Sequence, residues 1–131
     1  MSTIKYFYGV GRRKASTARA KYYPGEAELE ILVNKKSFKE YFQDFYAQII
    51  NEAVSNIGVR TGRIEFFING GGIMGQAEAG RLALAKALLT SDEGFRPILK
   101  IHKYLTTDNR KVQSKRPGLR KARKREQWSK R

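Results

Sequence analysis

Residues 110–131 of this 131-residue chain cannot help build a folded core, and that constrains everything upstream of them. They read RKVQSKRPGLRKARKREQWSKR. Eleven are Lys or Arg (Arg110, Lys111, Lys115, Arg116, Arg120, Lys121, Arg123, Lys124, Arg125, Lys130, Arg131), against one acid, Glu126. The segment therefore holds +10 of the chain's net +15. Its apolar residues, Val112, Leu119, Ala122 and Trp128, are too sparse to form a buried face, so self-repulsion should leave it extended in isolation. A polyanion is needed to order it.

The remaining 109 residues suffice for one domain with a modest core, and not for two. The expected division is a globular domain over residues 1–109 and a basic tail over 110–131. Charge is not spread evenly over that domain. Residues 1–21 carry six basic groups and no acid, whereas residues 22–109 sum to −1. A nearly neutral body with two basic extremities is not an even solubilising coat, and the partner should touch both ends. The chain has no Cys, which removes disulfides, thiolate nucleophiles and zinc knuckles. It shows no signal-like apolar run at the N-terminus and no stretch of about 18 apolar residues, so a cytoplasmic location is expected.

From Thr17 the residues alternate, with Ala18, Ala20 and Tyr22 on one side and Arg19, Lys21 and Tyr23 on the other. Pro24-Gly25 is a turn signal, and Ala27, Leu29, Ile31 and Val33 then alternate with Glu26, Glu28 and Glu30. The pair reads as an antiparallel hairpin. Ser37 to Glu40 matches a capping box, followed by a helical apolar stripe from Phe38 to Ile57 with a stop at Gly58 and scope for a break near Gln43-Asp44. A strand over 63–69 leads into Gly70-Gly71-Gly72 and an alanine-rich helix over about 74–89. A short helix over 97–104 begins with Pro97 at its first turn. The fold class that follows is α+β: a small, mostly antiparallel sheet with helices on one face.

Gly70, Gly72 and Gly75 fit G-x-G-x-x-G, but no later strand completes a βαβ unit, so a dinucleotide site is disfavoured. The glycines serve a tight turn, or with Gly71, Gly72 and Gln76 they place free helix-start amides against a nucleic-acid phosphate. His102 stands alone, without Cys or clustered carboxylates, and is expected on a partly exposed helix. No paired base activates any Ser or Thr, so neither catalysis nor a cofactor is expected. The Glu26, Glu28 and Glu30 row reads as a solvated face rather than a metal site. Arg12-Arg13-Lys14, flanked by Tyr6, Phe7 and Tyr8, suits a phosphate clamp with stacking groups beside it. A DNA-binding arm or a membrane-surface tail would share the tail's composition, but Arg120 to Arg125 has no apolar stripe for insertion.

Gly11-Arg12-Arg13-Lys14, Pro24-Gly25, Val33-Asn34, Glu40-Tyr41-Phe42, Gly70-Gly71-Gly72, Gly75-Gln76-Ala77, Leu105-Thr106, Gly118-Leu119-Arg120-Lys121-Ala122-Arg123 and Ser129-Lys130-Arg131 occur in that order. Together they closely resemble the family of small-subunit ribosomal protein nine in its bacterial form, over essentially the whole chain. The resemblance implies the α+β fold, with the left-handed βαβ crossover of the second domain of small-subunit ribosomal protein five. It implies a non-enzymatic role in the head of the subunit, among neighbouring head proteins, with no membrane or small-molecule partner. Carried over by position, Arg12, Arg13, Lys14, Arg19, Gly71, Gly72, Gln76, Arg110, Lys115, Arg116, Arg120, Lys121, Arg123, Lys124 and Arg125 would contact rRNA. Ser129, Lys130 and Arg131 would touch the anticodon stem-loop of peptidyl-site tRNA. The chain departs from the family pattern in several places. It lacks an arginine between Thr107 and Asp108, has Lys103-Tyr104-Leu105 where glycine usually precedes an apolar residue, and lacks a proline-leucine pair around Ile57 to Arg60. Trp128 replaces a usual phenylalanine and keeps a stacking plane.

Overall fold

A computed structural model describes residues 5–130. Its five strands are β1 (Phe7–Arg13), β2 (Ser16–Glu28), β3 (Glu30–Val33), β4 (Lys36–Ser37) and β5 (Thr61–Asn69). The helices are α1 (Phe38–Tyr41), α2 (Asp44–Ile57), α3 (Ile73–Ser91) and α4 (Arg96–Ile101), with a 3-10 turn at Glu93–Phe95. The sheet order is β1-β2-β5-β3-β4, antiparallel throughout except where β3 runs parallel to β5. The fold is α+β, as expected.

One expected pairing is wrong. β2 and β3 do not form a hairpin, because β5 lies between them. Pro24 and Gly25 sit inside an exposed, irregular stretch of β2, where the register against β5 shifts between Tyr23 and Glu28. Proline has no N–H for a ladder, which suits a bulge better than regular pairing. β5 carries the apolar row Ile64, Phe66 and Ile68, all buried, and gains a ladder on both sides only in this central slot. The alternation of β3 still holds: Ile31 and Val33 align with Ile64 and Phe66 on the core face. Asn34 extends the seam, its side chain donating to the Ile68 carbonyl at 3.0 Å and accepting from the Ile68 amide at 2.9 Å.

The true hairpin is β1–β2. Arg13 pairs with Ser16 across a two-residue turn, Lys14-Ala15, with Lys14 at φ 53°. β1 was not read as a strand, since Gly9 and Gly11 leave no apolar alternation to see. They are there for space. A Cβ on Gly11 would lie 2.1 Å from the Ala79 carbonyl oxygen, and one on Gly9 would lie 2.2 Å from that of Ala83. α3 thus rests backbone to backbone on β1, with Ala79, Ala83 and Ala87 fully buried at the contact.

The predicted long helix is two helices. It breaks at Phe42-Gln43, where Phe42 is extended and buried at 1 % exposure. Ser37 caps α1 by accepting from the Glu40 amide at 3.4 Å, and Gly58 ends α2. Ile50 of α2 reaches Gly80 of α3 above Phe66 and Ile68, so both helices cover one face of the sheet. α4 ends three residues before the expected boundary, in a Schellman motif. Tyr104 N–H bonds the Leu99 carbonyl at 3.0 Å and Lys103 N–H that of Lys100 at 3.1 Å, with Lys103 at φ 59°. The missing glycine at this position therefore leaves the turn intact.

Candidate nucleic-acid interface

The β1–β2 hairpin tip and the glycine turn before α3 form one unit. Ser16, 1 % exposed, donates to the Gly70 carbonyl at 3.0 Å. Its Oγ fills the space a side chain on Gly71 would need, since a Cβ there would lie 2.0 Å away, and Gly71 has φ 68°. Gln76 closes the other side, donating to the Gly70 carbonyl at 3.0 Å and accepting from the Tyr41 hydroxyl at 2.9 Å. Its amide is thus a brace for the turn. Gly72 is exposed and caps α3 without any side-chain bond, leaving the first helical amides open beside exposed Lys14.

Arg12 and Arg13 point to opposite sides of β1, as strand alternation requires. Arg12 is exposed. Arg13 lies on the α3 side, its side chain only 16 % exposed, with Nε donating to Glu78 at 2.6 Å and Nη1 at 2.6 Å from Asp108. Asp108 also accepts from the backbone amide of Arg110 at 3.0 Å and from its guanidinium at 2.6 to 3.0 Å. The start of the tail is therefore latched to β1 and α3 through Asp108. Sequence reasoning placed Arg13 in the interface but missed its acidic partners, which are 65 and 95 residues away in the chain.

The latch forms one wall of a hollow of about 230 Å³. Arg12, Arg13, Arg81, Lys103 and Arg110 line it against two carboxylates, Glu78 and Asp108. Arg81 and Lys103 are additions that the sequence did not single out. Arg81 lies over the Tyr104 ring at 5.4 Å, and Asn56 donates to the Tyr104 hydroxyl at 2.8 Å, so a buried tyrosine fixes this side. Of the departures from the family pattern near here, Lys103 lines the hollow, and the missing arginine would fall directly before Asp108, which holds the latch.

Arg110, by its side-chain and then its backbone hydrogen bond, holds the Asp108 carboxyl far below the ordinary carboxylate range, with Arg13 adding to the effect. A depressed folded-state pKa contributes stability that is complete above about 4 and is lost as pH falls through the depressed value. We expect the Arg110 amide resonance to stay unchanged from neutral pH past 4 and to move only in strong acid. Arg110→Ala should bring that transition back toward the ordinary carboxylate range. A parent transition near 4 would show that the latch is not formed.

Beyond the latch, no helix or strand forms through residue 130. The tail is not featureless, however. Arg116-Pro117-Gly118-Leu119 closes a turn with Leu119 N–H on the Arg116 carbonyl at 3.3 Å, and Arg120 N–H reaches the Lys124 carbonyl at 2.9 Å. This hook holds Lys115, Arg120, Lys121 and Lys124 around an open concavity of about 610 Å³. The acid Glu126 lies 3.9 Å from Arg120, an exposed pair of little weight. Arg116, Arg123 and Arg125 are exposed, as are Ser129 and Lys130, and Trp128 is 81 % exposed. Arg131 lies outside the described residues. Arg19 sits apart from all of these, outward on β2. His102 is exposed at the end of α4, and among the described residues no cluster of His, Asp and Glu could hold a metal.

The family model described as Ribosomal protein S9/S16 matches residues 11–131, which include the hairpin tip, the glycine turn, the latch and the tail. The chain belongs to the ribosomal protein S9/S16 family. It is 43 % identical over 129 residues to the small ribosomal subunit protein uS9 of Desulfovibrio desulfuricans, covering 97 % of this chain and 98 % of that one. It is 41 % identical over 137 residues to uS9 of Thermotoga neapolitana, covering both in full. The S9/S16 assignment rests on the body and the tail together. In this S9/S16 chain no described helix is long and apolar enough to cross a membrane.

Proposed function

We propose that this chain is a structural constituent of the small ribosomal subunit in the cytoplasmic ribosome, seated in the subunit head among neighbouring head proteins and binding its rRNA. One observation carries this: a globular body whose residues 22–109 are nearly neutral ends in a cation-lined hollow that passes directly into a tail with a single acid. A polyanion that bends around the body can neutralise both at once. Phosphates would lie against Arg12, Lys14, the open amides after Gly72, and the hollow, while the hook and the remaining tail cations follow the backbone. The globular unit is residues 1–109 and the rRNA-threading extension 110–131. The parallel β3–β5 crossover is the place where the likeness to the second domain of small-subunit ribosomal protein five, with its left-handed hand, would lie.

Both family relatives are named as small-subunit proteins, which favours rRNA over duplex DNA as the polyanion. The deciding experiment is cosedimentation with small subunits after a high-salt wash. Retention supports the reading, and loss into the supernatant with excess DNA competing equally at matched salt would sink it.

The tip, Ser129-Lys130-Arg131, reaches peptidyl-site tRNA at its anticodon stem-loop. Two charges cannot hold a subunit together, but they can bias tRNA affinity. Deleting residues 129–131 should leave incorporation into subunits intact and weaken peptidyl-site tRNA binding several-fold. Loss of incorporation would show that the tip belongs to the rRNA anchor.

A further inference from the structure

The helices cover one face of the sheet, and among the described residues no helix or strand packs on the other. On that open face the strand registers align three rows. Val10, Arg19 and Phe67 form one, Tyr8, Lys21, Glu65 and Leu32 the next, and Tyr23, Arg63 and Glu30 the third. Tyr6 joins the last row, with its ring 5.6 Å from that of Tyr23. Rings and cations interleave at close range. The Arg19 guanidinium lies 5.6 Å from the Phe67 centroid, and Lys21 Nζ lies 4.8 Å from that of Tyr6 and 5.4 Å from that of Phe67.

We propose that this uncovered sheet face, centred on Tyr8, Arg19, Lys21 and Phe67, is a stacking platform for unpaired RNA bases. It rests on the reading of the chain as an rRNA-binding protein and adds a second, chemically different surface to the phosphate-binding hollow and tail.

Tyr8 is 44 % exposed, and no cation caps its ring among the described residues. Beside it Arg19, Lys21 and Phe67 enclose a shallow depression of about 150 Å³ with no acid in its lining. Among the described residues neither Arg19 nor Lys21 reaches a carboxylate at ion-pair distance. The acid nearest them on the face, Glu65, is engaged by Arg63. A protein partner would want a continuous apolar patch, and here Arg19 and Lys21 lie among the rings, although Tyr6 and Tyr23 touch directly. A base has a π-face for the ring or guanidinium and carries its own phosphate for the ammonium, so it matches both halves of the pattern. The platform and the Arg13 latch lie on opposite sides of β1, and exposed Arg12, on the open side, also reaches the rim of the hollow. One RNA could therefore grip this edge strand from both sides.

The test uses the full chain with a short unstructured oligouridylate and, as a base-free polyanion, inorganic polyphosphate, each titrated over a range of salt. Tyr8→Ala should weaken oligouridylate about tenfold, within the range for one lost stacking contact. It should leave polyphosphate binding and the salt slope unchanged, because no charge is removed. Tyr8→Phe should keep parental affinity. Equal oligouridylate affinity for Tyr8→Ala and parent overturns the platform and leaves the proposed function standing. Equal losses for both polyanions overturn it as well, since the ring would then serve only the fold. A parent chain that binds neither polyanion with its tail intact overturns both.

Discussion

Gly11→Ala is expected to lower the thermal midpoint by about 10 °C. The new Cβ would sit 2.1 Å from the Ala79 carbonyl oxygen and 2.6 Å from the Ala83 amide nitrogen. Both are backbone atoms of α3, so no rotamer change relieves the clash, and the helix must lift from β1. Overpacking of this kind costs up to about 3 kcal/mol, and about 3 to 4 °C per kcal/mol is reasonable for a domain of this size. Gly72→Ala is the control. Its Cβ meets nothing within 4 Å, and the change should stay within about 0.5 kcal/mol. Equal midpoints for the two variants would mean that α3 does not lie on β1 as described.

Removing residues 115–131 is expected to have the largest effect on RNA binding and almost none on stability. The segment carries nine cations, and its large apolar side chain, Trp128, is 81 % exposed. The thermal midpoint should therefore hold. Each cation seated on a phosphate contributes about 0.7 to 0.9 to the slope of log affinity against log salt. The full chain should then lose about a thousandfold or more in affinity between 50 and 200 mM salt, and the truncated chain far less. A slope unchanged by truncation would place the phosphate contacts in the body alone.

Much of this was visible in the residues. The period-2 rows gave the core face correctly for β5, for Ala18 and Ala20 of β2 and for Ile31 and Val33 of β3. They did not for Ala27, which is exposed in the irregular end of β2. The tail's lack of an apolar face predicted the absence of helix or strand. The other errors were of one kind. Alternation tells which way Ile31 and Val33 point but not which strand lies beside them, so β3 was given to its sequence neighbour β2 when β5 needed both flanks. The glycines of β1 hid its alternation, and the reason for them, the backbone of α3, is supplied by residues some 70 positions later. The hollow was half legible: Arg12, Arg13 and Arg110 stood out by charge. Arg81 on α3, Lys103 after α4 and the acids Glu78 and Asp108 become neighbours only through the tertiary fold.

Lys103 shows what this chain preserves and what it gives up. A left-handed position closing a Schellman motif suits glycine, and a lysine there costs about 1 kcal/mol in backbone strain. Buried Leu99 and Tyr104, joined through the same turn, hold it in place. The same residue puts an ammonium group on the rim of the basic hollow. Local stability has been exchanged for charge at a chosen point, and the helix end that presents it is kept rigid by the very contacts that enforce the strain.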